Sequence, residues 1–199
     1  MERIAVFLDY SNVHLVGHEL FARDFQKWTT HVSPRRIAEA IISKRTQECE
    51  LAAVFLYRGS PERFLDPEAT KIFRDEQRRW GNDDLIHATY LPLHYASYRV
   101  TPKEAGVDVR LSLDLVRTAE SHRYDTLILF SGDSDCFPAV QDAVKTTTHL
   151  ELAAWSDGKG YPGNRIAQQS AKHRLRLWTH SLYEDDFWDC QDKQNGIAA

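Results

Sequence analysis

Two apolar runs in this 199-residue chain end in carboxylates. Leu127-Ile-Leu-Phe130 breaks at Ser131-Gly132 and delivers Asp133 and Asp135, while Ile4-Ala-Val-Phe-Leu8 leads into Asp9 and then Asn12. A covered strand does not hold unpaired carboxylates, because taking a charge out of water without a partner is costly. At a strand end they meet a cation instead, and three Asp with one Asn offer oxygen ligands to a hard divalent metal, Mg²⁺ or Mn²⁺. A fourth acid, Asp108, stands where Gly106-Val107 opens another segment, and Asn12 adds a carbonyl oxygen and an amide donor. Gathered acids raise one another's pKa unless a counter-charge is present. A metal supplies it, and a metal that acidifies a water beside phosphorus performs phosphodiester or phosphomonoester hydrolysis. No Walker loop, GxSxG or HExxH argues for another reaction.

The elements that must position these residues alternate in the manner of an α/β domain. Strands are predicted at Ile4–Leu8, Leu51–Tyr57, Leu85–Tyr90, Leu127–Phe130 and Leu150–Ala154, each short and apolar as in a parallel sheet covered on both faces. Ser33-Pro34 reads as a cap and first turn of a helix with Ile37, Ala40 and Ile41 inward. Pro67 to Trp80 reads as a second helix closed by Gly81, with Ile72, Phe73 and Trp80 inward, and Pro138 to Lys145 as a third. Val107 to Val116 alternates strictly, the period of a strand, but a crossover between two parallel strands is needed there. A helix is therefore expected, with Val109, Leu113 and Val116 on one stripe and Leu111 and Leu115 beside it. If the first and fourth strands are neighbours at the sheet centre, Asp9 meets Asp133 and Asp135 beyond their carboxyl ends.

Composition excludes several classes. The chain is 42% hydrophobic and 27% charged with a net charge of −4, so it does not coat nucleic acid by bulk electrostatics. Local cations that could steer a phosphate backbone are Arg58, the Arg74/Arg78/Arg79 set, Arg99 with Lys103, and Lys172 to Arg176, each of which also reads as a solvated face. Three distant cysteines, Cys49, Cys136 and Cys190, make neither a disulfide framework nor a cysteine zinc site. With no signal-peptide pattern and no apolar membrane span, a cytoplasmic protein is expected. One domain, residues 1–183, is expected, followed by a C-terminal tail, 184–199. Pro92–Gly106 and Ser156–Asn164 read as loops, the first on the metal side.

The ordered set Asp9-x-x-Asn12, Gly106-Val-Asp-Val109 and Ser131-Gly-Asp-Ser-Asp135 with Pro138 after it resembles the NYN domain of the LabA-like group, within the PIN-like nuclease superfamily. The resemblance runs from about residue 3 to about 155. It implies a three-layer α/β/α sandwich with a mainly parallel central sheet. It also implies a metal-dependent endoribonuclease that uses Mg²⁺ or Mn²⁺ and cleaves RNA by water attack, leaving a 5′-phosphate. Asp9, Asp108, Asp133 and Asp135 would hold the metal and Asn12 would orient the site. Where relatives commonly carry an aromatic residue after the second Asp, this chain has Cys136. Asp114, often acidic in relatives, lies about 120° around a helix from Asp108.

Other readings stay open beside this one. A regulatory or scaffolding module would keep the fold without turnover, with a second copy or another protein as partner. A haloacid dehalogenase-like phosphatase shares Gly132-Asp133 after a strand, but needs an acid two residues after its nucleophilic Asp, where this chain has Ser11. His14 and His18 share a helical face without an evident third ligand and read as ordinary histidines. Cys136, beside acids that raise its pKa, reads as inert rather than nucleophilic. Tyr95, Tyr98 and Tyr161 could stack on unpaired bases of single-stranded or structured RNA, and loop packing is the plainer assignment for each.

Overall fold

The N-terminal apolar run becomes the strand around which the sheet is built. The structure is a computed structural model that describes residues 1–96 and 102–192. Tyr98 and Arg99 lie outside the described residues. The strands are β1 (Glu2–Asp9), β2 (Cys49–Ser60), β3 (Ile86–Pro92), β4 (Thr126–Phe130), β5 (His149–Trp155) and β6 (Thr179–Leu182). They form one sheet in the order β3-β2-β1-β4-β5-β6, with every adjacent pair parallel. β1 is completely covered from Ile4 to Leu8, and all five residues of β4 are buried. That two-sided burial is why both strands read as unbroken apolar runs rather than alternating ones.

Helices cover both faces. On one lie α1 (Tyr10–Phe21), α2 (Pro34–Ser43), α3 (Pro67–Trp80) and α7 (Glu184–Asp189), packing Val13, Ile37, Ile41, Trp80 and Phe187 on Val6, Leu8, Ile128 and Trp155. On the other lie α4 (Val107–Glu120), α5 (Phe137–Ala143) and α6 (Arg165–Lys172), packing Leu111, Leu115, Val140 and Ile166 on Phe7, Leu127, Leu129 and Leu152. The result is an α/β/α sandwich. None of the described helices is long and apolar enough to cross a membrane.

The helix at Val107 forms where the crossover requires one, but it turns over relative to the stripe drawn from its sequence. Val107, Leu111, Leu115 and Ala119, spaced by four, are the buried face, whereas Val109 and Leu113 are 57% and 48% exposed. Apolar residues on both faces produced the strict alternation, so period alone could not orient the helix. Ser33 caps α2 through its hydroxyl with Pro34 at the first position, and the Asp66 carboxylate caps α3 by accepting the Ala69 N–H at 3.0 Å.

Four elements carry too little apolar signal to stand out in the sequence. α1 hides its buried face behind His14, Gly17 and His18, which are polar or without a side chain. Gly17 is needed there, since a Cβ would come within 2.8 Å of the Phe187 ring and 3.0 Å of the Trp155 indole nitrogen. α6 and β6 are short and largely polar. The segment read as a tail supplies α7, whose Phe187 is completely buried against α1 and β5, and Gln191 then bridges to Val32.

Replacing Phe187 with Ala should therefore lower stability by about 3–5 kcal/mol, the usual cost of emptying a buried aromatic site. Urea unfolding measures it. A variant as stable as the parent would make the segment from Glu184 onward a dispensable tail.

Candidate functional site

β1 has β2 and β3 on one side and β4, β5 and β6 on the other, so strand order reverses between β1 and β4. In open parallel sheets, ligands bind in the crevice beyond the carboxyl ends at this point. Leu8 is paired with Phe130, so the next residues of both strands, Asp9 and Ser131, emerge together. Asp9 ends its strand and caps α1, its Oδ1 accepting the Asn12 N–H at 3.3 Å. Ser131, fully buried, donates its hydroxyl to Asp9 Oδ2 at 2.9 Å and accepts the Asp133 N–H at 3.1 Å. Gly132 N–H donates to Asn12 Oδ1 at 2.8 Å. Each half of the Asp9-x-x-Asn12 motif thus grips one residue of Ser131-Gly132.

Gly132 is confined by backbone. A Cβ there would lie 2.5 Å from the Gly163 carbonyl oxygen, and the Arg165 N–H donates to the Gly132 oxygen at 2.9 Å. The loop after β5 and the start of α6 are thereby locked onto the site. Asp133 caps the short turn Ser134–Cys136, accepting the Asp135 N–H at 3.0 Å, and Asp135 is exposed at its rim. Asp108 sits half-buried in the first turn of α4, the helix that packs against the Ser134–Cys136 turn. Asp114 is committed elsewhere. It accepts the Tyr57 hydroxyl at 3.1 Å and Arg110 Nε at 2.8 Å, and lines a surface pocket with Phe55, Arg117 and Tyr124.

Glu104 is the acid that sequence reasoning missed. Its Oε1 accepts the Ser11 hydroxyl at 2.7 Å and the Gly59 N–H, tying the loop before α4 to the ends of α1 and β2. Its negative charge also bears on Asp9. The only signal of it was that Pro92–Gly106 had to be a loop on this side of the sheet; nothing in the spacing marked Glu104 itself.

Asp9 is 7% exposed, and burial lifts its carboxyl out of the usual range. The hydrogen bonds from Ser131 and the Asn12 N–H pull it back, Glu104 and Asp133 push it up again, and it settles at about 6. Three carboxylates therefore share one electrostatic neighbourhood, and among the described residues no positive side chain pairs with Asp9. Among the described residues no three of His, Cys, Asp and Glu stand close enough to hold one ion by themselves. The donor set still fits Mg²⁺ or Mn²⁺, since such ions are commonly held by one or two carboxylates, with water and substrate oxygens completing the shell.

Other candidates resolve as structural. His14 and His18 are buried and meet at the Thr30 hydroxyl, 3.3 and 3.0 Å away, and burial drives His14 down to about 2. Burial pushes the Cys136 thiol up to about 12, which leaves it protonated and unreactive. Arg58, read from the sequence as one of the phosphate-steering cations, is instead buried against Glu76 at 2.6 Å and over the Tyr10 ring. Tyr161 donates to or accepts from Ser181 Oγ at 3.0 Å, and the Tyr95 hydroxyl accepts the Glu62 N–H at 3.2 Å.

The NYN domain family model matches residues 3–160, which include Asp9, Asn12, Glu104, Asp108, Ser131, Gly132, Asp133 and Asp135 but not Gly163 and Arg165. The chain is 25% identical over 159 residues to the Low amplitude and bright protein LabA of Synechococcus elongatus, covering 78% of this chain and 75% of that one. Its fold resembles the crystal structure of a protein of unknown function from Vibrio parahaemolyticus, with a TM-score of 0.55 and 17% identity over 94% of each chain.

Because the folded state holds the Asp9 proton more tightly than the unfolded chain, Asp9 makes the metal-free protein less stable as pH rises from about 4 through about 6. The shift is worth about 3 kcal/mol. Asp9→Asn should remove this decline, so the stability of the variant relative to the parent grows across that window. Parallel unfolding curves at each pH check it, and a constant difference would remove Asp9 as the source.

Proposed function

The chain belongs to the NYN domain family of the PIN-like nuclease superfamily, and from that membership we propose that it hydrolyses phosphodiester bonds of RNA at the Asp9–Asp133 end of the sheet. The observation that carries the proposal is the meeting of two acids that follow different strands at the point where strand order reverses, one of them without a cationic partner among the described residues. Asp9 and Asp133 would hold Mg²⁺ or Mn²⁺, with Asp108 and Asp135 reaching it directly or through water. The bound ion would acidify a water and offset charge on the leaving oxygen. Ser131 keeps Asp9 oriented toward the crevice, and Asn12 holds Gly132 so that the Asp133 backbone cannot swing away.

The second reading is a module that retains this fold without turnover. The spacing of the acids favours it, since no three of the described residues make a complete ion site on their own.

Incubation of labelled RNA with the protein and Mn²⁺ separates the two. The parent should cleave, a chelator should stop it, and Asp133→Asn should slow it by about 100–1,000-fold, the range for removing one preorganised electrostatic contributor. Asp114→Asn should leave cleavage within a few-fold. Cleavage indifferent to Asp133→Asn would sink the site, phosphate release from monoesters would point to a phosphatase, and neither activity would favour the scaffold.

A further inference from the structure

Lys159, Arg165, Lys172, Arg174 and Arg176 lie in residues 158–183, a stretch with no Asp or Glu in a chain whose net charge is −4. The fold draws this stretch out along one line. The loop after β5 lies at the site's end of the sheet, and α6 begins there, tied through the Arg165 N–H to Gly132. From there the chain returns to the opposite end, where residues 173–178 lead into the start of β6, the edge strand. On α6, Arg165, Gln168 and Lys172 share an exposed face while Ile166 and Ser170 are buried. Beyond α6, Leu175 and Leu177 pack on the core, and Arg174, Arg176 and Trp178 alternate outward.

Two further observations separate this line from an ordinary solvated face. Among the described residues none of its five cations is in an ion pair; Lys27, Lys71, Arg74 and Arg117 are unpaired too, but these five follow one another with no Asp or Glu between them. The line also ends in Trp178, which is 67% exposed and opens on a cavity of about 570 Å³ whose lining mixes Lys44 and Arg45 with Glu2 and Glu151, so that the open indole ring rather than charge is what it offers. Arg165 to Trp178 lies beyond residue 160, outside the part matched by the family model.

We propose that this line is the track along which single-stranded RNA leaves the Asp9–Asp133 site, with phosphates on Arg165, Lys172, Arg174 and Arg176 and a base stacked on Trp178. Spaced cations that follow a backbone and end in an open aromatic ring are the means by which proteins hold single strands without reading sequence. The placement of the cleaved bond rests on the proposed nuclease activity; the binding of the strand does not.

Binding of labelled single-stranded RNA to the full chain carrying Asp133→Asn, in chelator and over a range of salt, tests the track without cleavage. Added Lys172→Ala, Arg174→Asn and Arg176→Ala should weaken binding and lower the slope of log affinity against log salt by about 2, at about 0.7 per phosphate on a single strand. Asn is chosen at 174 because that residue has a φ of 59°. Trp178→Ala should weaken RNA about 10-fold and leave inorganic polyphosphate unaffected, since only a base stacks. Unchanged affinity and slope in the triple variant would overturn the track, as would an acidic polypeptide bound as tightly as RNA and lost through the same substitutions. If the parent cleaves RNA while binding ignores these residues, the track falls and the nuclease stands. If binding follows the track and the parent never cleaves, the reverse holds.

Discussion

The hydrogen bond from the Ser131 hydroxyl to Asp9 is the interaction on which the functional end of this molecule depends. It joins the ends of the two central strands at the one place where strand order reverses. Because Ser131 also accepts the Asp133 N–H, one buried hydroxyl fixes the relation between acids 124 positions apart in the chain. The Asn12–Gly132 bond repeats the link on the neighbouring residues, and the backbone of Gly163 closes over Gly132 with no room for a side chain. Loss of the glycine would displace a loop, and loss of the serine would leave a buried carboxylate short of a donor.

What the sequence revealed follows from how each feature is encoded. β1 and β4 were legible because full burial on both faces leaves few polar positions to blur the run, and Asp9 and Asp133 because a carboxylate within three residues of the end of such a run is unusual. Their meeting was legible only conditionally, since adjacency of the strands is a property of topology. α1 was legible only as a helical face shared by His14 and His18, and its extent was not, because these two buried positions are satisfied by Thr30, a pairing with no local signature. The orientation of α4 was missed because Val109 and Leu113 lie on its outer face. Glu104 was missed because a loop residue acquires its role from the backbone it reaches, here Gly59, and not from its neighbours in sequence.

Cations show the same divide between sequence and structure. Arg58 and Arg176 are equivalent as letters. One is enclosed by Tyr10, Phe73 and Trp80 and spent on Glu76, where it joins β2 to α3; the other is exposed on the segment entering the edge strand. A net charge of −4 therefore says little about phosphate binding, because many cations are paired and cancel locally, while five unpaired ones follow one another from Lys159 to Arg176 with no acid between them.

Comparison of the buried acids shows why Asp9, and not another, marks the site. Burial raises Glu76, but the His31 hydrogen bond and the Arg58 charge outweigh it and hold the carboxyl below its usual range. Glu151 is treated likewise, burial being overcome by His180 and Arg45. The fold thus supplies cationic partners to buried carboxylates where it uses them to join elements. At Asp9 it supplies a hydroxyl and an amide, and adds Glu104 and Asp133, whose charges make matters worse. Deprotonated, such a group is destabilising in the isolated protein and becomes favourable only when something positive, or a proton, arrives from outside. A carboxylate kept in that condition by three separate segments of the chain is arranged for a visitor rather than for the fold.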